Sequence, residues 1–200
     1  MGIIGETEDR MQHKFALFNS HIDLSHALWK KLILPGDIAV DATAGNGHDS
    51  LYLATLPLQK LFIFDIQKEA IAATRKRLKD VSIPLLFHEC CHSKLDEVIQ
   101  ERSIKLVVYN LGYLPGSDKQ IKTGSKTTLQ SIQVAMRLLV PGGCICITCY
   151  PGHVEGAHEE AQLIEVSSLL SPAEWCVSWH RFQNRKESPS LLILQKSENF

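Results

Sequence analysis

The chain has 200 residues, 44% of them hydrophobic and 22% charged, which supplies one packed core and excludes a disordered chain. Lys plus Arg number 21 and Asp plus Glu 22, and the resulting net charge of -1 excludes binding to nucleic acid by bulk charge while leaving a local basic patch open. No apolar run approaches the roughly 20 residues that span a bilayer, and the polar stretch from Met1 to Arg10 has no basic-then-apolar leader, so the expectation is a cytoplasmic protein away from membranes.

Residues 1–20 read as an N-terminal extension, flexible and outside a single domain over 21–200. Apolar residues at Ile22, Leu24, Leu28 and Leu32 predict a helix over 21–34, stopped by Pro35-Gly36. A short strand over 38–41 precedes a helix over 47–56, and a second strand over 61–64 ends at Asp65. A helix over 68–79 carries Ile71, Ala72 and Leu78 on one side and Arg75, Lys76 and Lys79 on the other. A strand over 85–88, a short helix over 94–100, a strand over 105–109 and a longer helix over 125–140 follow. Pro141-Gly142-Gly143 turns that helix into a strand over 144–149, and a helix over 159–170 comes next. The segments 174–182 and 190–195 are joined only by a loop, which makes them an antiparallel pair.

Strands that alternate with crossover helices, and that read as apolar runs, imply an α/β fold with a mostly parallel sheet covered on both faces. Cys144, Cys146 and Cys149 have the look of a metal cluster, but they lie in an alternating strand after a Pro-Gly-Gly turn. Free Cys behaves there as a small hydrophobe, so no metal site is expected.

Ligands of such sheets bind beyond the carboxyl ends of the strands. Three segments sit there: the loop from Asp41 through Ala44, Gly45, Asn46 and Gly47 to Asp49, the acid Asp65, and Cys91-His92-Ser93, placed to flank an adenine ring. The two glycines allow a tight turn and a close approach to a ligand. Asp65 can accept both hydroxyls of a ribose. A dinucleotide fingerprint would need Gly where Ser50 stands. An acid, a glycine loop and a second acid are more similar to an S-adenosylmethionine site, whose general pattern is D-x-G-x-G-x-G. Thr43 replaces the first glycine of that pattern.

The wording of the motifs is more specific. Val40 to Asp49, Phe64-Asp65-Ile66-Gln67, Asn110 to Gly116 and Tyr150-Pro151-Gly152-His153 stand in the same order as in a bacterial methyltransferase family once labelled rRNA methylases. The chain resembles its tRNA 5-(aminomethyl)-2-thiouridine methyltransferases over roughly residues 22–197. The resemblance implies a Rossmann-like class I methyltransferase with a seven-stranded, mostly parallel sheet, a C-terminal antiparallel hairpin and helices on both faces. It implies S-adenosylmethionine as cofactor, with Asn46, Asp65, Gln67 and His92 as its best contacts, alongside Asp41, Ala44, Gly45, Gly47 and Asn110. The implied partner is the tRNA anticodon stem-loop, and the implied reaction completes the 5-methylaminomethyl group of wobble 2-thiouridine. A homodimer is left open.

Asn110-Leu111-Gly112-Tyr113 is similar to the N-P-P-Y tetrad of methyltransferases that act on amino nitrogens. An Asn oxygen and a nearby carbonyl can accept the two N–H bonds of an amine and aim its lone pair at the methyl group. Tyr113 can stack on the base or face a cationic sulfonium. An alkylammonium must first lose a proton, and His153 and Asp118 are candidate acceptors, as is water. Gly112, the loop lysines Lys119, Lys122 and Lys126, and the hairpin residues Arg181 and Arg185 are candidate substrate contacts, the basic ones toward tRNA phosphates. The same chemistry on rRNA or a small amine is the alternative, and a nicotinamide oxidoreductase is the competing class.

Overall fold

The computed structural model describes residues 15–100, 102–111 and 125–199. Helix α1 (His21–Leu32) begins at a capping box: the Asp23 N–H donates to the Ser20 hydroxyl, and the Ser20 N–H donates back to the Asp23 carboxylate. Its last turn carries Lys30 and Lys31, favourable for the helix dipole, and it ends before the left-handed Gly36. The segment before it is attached at the opposite end of the chain. Phe18 meets Phe182 edge-on, and Arg185 donates to the Asn19 carbonyl at 2.6 Å.

The remaining elements are β1 (Ile38–Asp41), α2 (His48–Leu53), β2 (Lys60–Asp65), α3 (Lys68–Arg77), β3 (Leu85–Glu89), α4 (Leu95–Val98), β4 (Ile104–Asn110), α5 (Ser125–Leu138), β5 (Leu139–Cys149), α6 (Val154–Ser168), β6 (Trp175–His180) and β7 (Ser190–Lys196). They form one seven-stranded sheet in the order β3-β2-β1-β4-β5-β7-β6. The first five strands pair in parallel, and β7 enters antiparallel between β5 and β6. The strand order reverses beside β1, so the carboxyl ends of β1 and β4 frame a crevice.

Each strand feeds both faces alternately. Ile38, Val40, Phe62, Phe64, Val107, Ile145 and Ile147 point to the face covered by α4, α5 and α6. Ala39, Leu61, Ile63, Leu106, Val108, Cys144 and Cys146 point to the face covered by α1, α2 and α3. Cys144 and Cys146 therefore lie on one face and Cys149 on the other, all buried and free. Burial raises the pKa of all three thiols, and no group of metal-ligating side chains exists among the described residues.

Three elements differ from their predicted bounds by more than two residues. Strand β5 starts at Leu139 because Leu139 pairs with Ile104 before a bulge near Pro141-Gly142-Gly143 resets the register. Helix α2 is shorter than predicted, and a turn at Ala54 to Leu56 ends it. Helix α6 starts earlier, at Val154, because the His153 ring caps it: Nδ1 accepts the Gly156 N–H at 2.9 Å.

Candidate active site at the carboxyl ends of β1, β2 and β4

Asp41 closes β1 and is fully buried. One carboxylate oxygen accepts the Ser50 hydroxyl at 2.5 Å, and the other accepts the Thr43 N–H at 3.2 Å. Asp41 thus ties the strand end to its own loop and to α2. Burial pushes its carboxyl up to about 7, the nearby charges of Asp49 and Asp65 add to the rise, and the two hydrogen bonds oppose it. Between Asp41 and α2, Gly45 and Gly47 take left-handed backbone conformations, with φ of 52° and 74°. A Cβ at Gly47 would lie 2.9 Å from the Thr74 side chain of α3. Ala44 is buried, and its N–H donates to the Phe64 carbonyl, which straps the loop to β2. Asn46 is exposed at the loop tip, and its carbonyl accepts from Arg77 at 2.6 Å.

Asp65 ends β2 with its carboxylate bridging two chain segments. It accepts the Gly45 N–H and the Gln67 N–H, each at 2.9 Å. A carboxylate offers about four lone-pair sites, so two remain for a ligand's hydroxyls. Gln67 is half-buried at the start of α3. His92 is only 3% exposed, its ring edge-on to Tyr109, and burial lowers its pKa to about 4. The ring is therefore neutral, and Cys91 and Ser93 beside it are half-buried, the Ser93 hydroxyl donating to the Cys91 sulfur.

Asn110 ends β4 and is held at two points. Its backbone N–H donates to the Thr43 hydroxyl at 2.6 Å, and its side-chain NH2 donates to the Asp49 carboxylate at 2.5 Å. The second Asp49 oxygen meets the His26 Nε2 of α1 at 2.9 Å. The His26 ring stacks on Tyr52 with centroids 3.7 Å apart and planes 5° from parallel, and the Tyr52 hydroxyl donates to the His26 carbonyl. His21 lies edge-on to Tyr150, and burial lowers its pKa against the pull of Asp49 and Asp23. Thr43, Asp49 and His26 had not been singled out as site residues. Thr43 carried a signal, as the departure from the glycine pattern, and Asp49 closed the quoted motif. His26 carried none, because only the fold brings α1 over the loop.

The other candidates fall on several elements or outside the described residues. Gly112, Tyr113, Asp118, Lys119 and Lys122 lie outside the described residues. Leu111 is buried, and its N–H donates to the Thr148 carbonyl of β5. Lys126 is exposed on the first turn of α5. Arg181 and Arg185 lie in the β6–β7 loop; Arg181 lies over Trp179, whereas Arg185 packs on Phe182 and holds Asn19. His153 serves as the cap of α6, which commits its Nδ1 lone pair.

The donor set defines a ligand. Asp41 feels the negative charge of both Asp49 and Asp65, a cluster that a cationic group would stabilise. The spare lone pairs of Asp65 suit a diol, and the glycine loop lets a ligand approach main chain closely.

Known proteins resemble this chain in sequence and in fold. The family model described as "Putative rRNA methylase" matches residues 61–196. The chain is 36% identical over 192 residues, covering 88% of this chain and 69% of the relative, to the chloroplastic "tRNA (mnm(5)s(2)U34)-methyltransferase" of Arabidopsis thaliana. A "putative rRNA-methylase" of Clostridium thermocellum superposes with a TM-score of 0.84 at 34% identity, covering 90% of this chain and 98% of that one. A "putative methyltransferase" of Streptococcus mutans, in complex with S-adenosylhomocysteine, superposes with a TM-score of 0.82 at 27% identity, covering 90% of this chain and 99% of that one.

Proposed function

The chain belongs to the rRNA methylase family and is an S-adenosylmethionine-dependent class I methyltransferase, and from that premise we propose that it methylates the 5-aminomethyl nitrogen of wobble 2-thiouridine in tRNA. The observation that carries this reading is the Asn110 side chain, tied through its NH2 to Asp49 beside the glycine loop. The Arabidopsis relative, named for the same modified uridine of tRNA, supports the substrate.

Bound S-adenosylmethionine supplies an electrophilic methyl group on a cationic sulfur. Asp65 would receive the ribose hydroxyls with the lone pairs that the Gly45 and Gln67 N–H groups leave free. The backbone of Ala44, Gly45, Asn46 and Gly47 would hold the cofactor, with Gln67 and His92 as further contacts. Asp41, buried with both oxygens engaged, acts by shaping the loop rather than by touching the ligand. With its NH2 given to Asp49, the Asn110 amide has its oxygen left as acceptor for an amine N–H. That fixes the direction of the nitrogen lone pair, and in-line displacement draws much of its rate from such alignment. The amine must arrive as the free base, so its ammonium proton passes to water before attack. His153 already accepts the Gly156 N–H and is not assigned that proton. Lys126 and Arg181 are exposed and available to tRNA phosphates.

The test is nucleoside mass spectrometry of tRNA before and after incubation with the purified protein and S-adenosylmethionine, using tRNA from a strain lacking the gene. Conversion of aminomethyl- to methylaminomethyl-thiouridine is expected. Normal tRNA nucleosides in that strain, with a methyl mark missing from rRNA, would transfer the activity to rRNA. Asn110→Ala is expected to lower turnover roughly 10²–10³-fold while leaving cofactor affinity nearly unchanged.

A further inference from the structure

Asp49 has no part in the glycine-loop pattern, yet from the first turn of α2 it bridges α1 and the end of β4. One oxygen takes the Asn110 NH2, and the other takes the His26 ring. His26 is itself fixed from two sides, by the parallel stack on Tyr52 and by the Tyr52 hydroxyl on its carbonyl. Trp29, one turn on, lies 5.0 Å from the same ring. Such an arrangement is more than is needed to hold a loop, which Asp41 already ties to Ser50 and Thr43.

An Asn side chain presents an acceptor and a donor of nearly equal shape, and a half-turn exchanges them. A donor aimed at an amine lone pair would oppose methylation, whereas an acceptor aimed at an amine N–H assists it. An anionic partner removes the ambiguity: a carboxylate accepts only, so the amide oxygen cannot turn toward it without repulsion. We infer that Asp49, oriented by His26 of α1, is a positioning residue that fixes the Asn110 amide with its oxygen toward the methyl-accepting nitrogen. This inference rests on the reading of Asn110 as the group that meets the amine. It also gives α1 a place in the chemistry, as the helix that orients the residue behind the acceptor.

A double-mutant cycle on the full-length protein tests it, with single-turnover methylation of tRNA carrying the aminomethyl group. Asp49→Asn is isosteric and restores the ambiguity. It is expected to slow the single turnover about 10- to 100-fold while S-adenosylhomocysteine affinity changes less than about threefold. In an Asn110→Ala background the same change is expected to cost less than about twofold, because Asp49 then has no amide to orient. His26→Gln keeps a donor toward Asp49 and is expected to retain more activity than His26→Ala. Equal losses from Asp49→Asn in both backgrounds, or undiminished turnover in Asp49→Asn, would overturn the proposal.

A second readout does not depend on the substrate. In 15N-asparagine-labelled protein with S-adenosylhomocysteine, the Asn110 side-chain amide pair, identified by its loss in Asn110→Ala, is expected to exchange slowly with solvent and to move in Asp49→Ala. An amide pair indifferent to Asp49→Ala would overturn the positioning role. Failure of the wild-type protein to methylate that tRNA, with the amide pair behaving as expected, would instead overturn the substrate reading alone.

Discussion

The hydroxyl of Thr43 accepts the backbone N–H of Asn110 at 2.6 Å, joining positions 67 residues apart. The general methyltransferase pattern has glycine at this position, so Thr43 adds a contact that glycine cannot make. It fixes the spacing between the cofactor loop and the end of β4. Thr43→Ser keeps the hydroxyl and is expected to behave as wild type. Thr43→Ala leaves the amide without its partner, at a cost of about 1 kcal/mol, and is expected to lower the single-turnover rate more than cofactor affinity. Calorimetry with S-adenosylhomocysteine beside stopped-flow methyl transfer separates the two. Equal behaviour of Ser and Ala would show that the hydroxyl has no role.

Asp41 makes stability depend on pH. Its folded pKa of about 7 lies above the ordinary 3.8, so its contribution is full below about 4 and is lost as pH rises through 7. His92 runs the other way. Its folded pKa of about 4 lies below the ordinary 6.5, so its contribution is full above 6.5 and is lost as pH falls through 4. The two oppose each other over one window, and a variant is needed to separate them. Asp41→Asn can accept the Thr43 N–H and donate to Ser50, without a charge to bury. Relative to wild type, the variant is expected to gain stability as pH rises from about 4 to 7, by on the order of 1.4 kcal/mol per unit within that window, and to gain no more above it. Urea midpoints at several pH values measure it, and a constant difference between the two proteins would contradict it.

Gly47 is constrained twice, by a φ of 74° and by a Cβ that would lie 2.9 Å from Thr74. Gly47→Ala is expected to cost about 1–3 kcal/mol and to weaken cofactor binding by displacing the loop from α3. Adding Thr74→Ala removes the two side-chain contacts but leaves the 3.0 Å approach to the Thr74 Cα and the dihedral cost, so the double variant is expected to recover only part of the melting temperature. Full recovery would mean that the positive φ carries no strain.

The two hairpin arginines are expected to part company. Arg181 is exposed over Trp179, and Arg181→Ala is expected to weaken tRNA binding uniformly and to reduce the salt slope by about one. Arg185 is engaged with Phe182 and the Asn19 carbonyl. Arg185→Ala is expected to speed amide exchange at residues 18–20 with a smaller effect on tRNA affinity. Filter binding across a salt series and hydrogen exchange read the two effects, and the reverse pattern would assign the phosphate contact to Arg185.

Local signals in the sequence determined much of this protein. Strand and helix alternation follows from apolar periodicity, and the glycine loop and Asp65 follow from short-range chemistry, because each depends on a few consecutive residues. The alternation of Cys144, Cys146 and Cys149 marked a strand, and the three thiols lie buried on its two faces. The start of α6 is not legible locally, because the His153 ring caps the helix only once Gly156 takes helical geometry. His92 was placed at the right strand end, but its burial against Tyr109 depends on how α5 covers the sheet. The chain from Asn110 through Asp49 to His26 was invisible for the same reason. Its members come from β4, α2 and α1, and no sequence period relates them. Residue types and local spacing set what each strand end can bind. Only the tertiary structure decides which side chain of a distant helix orients it, since that contact exists only after the parallel sheet has brought the three elements to one edge.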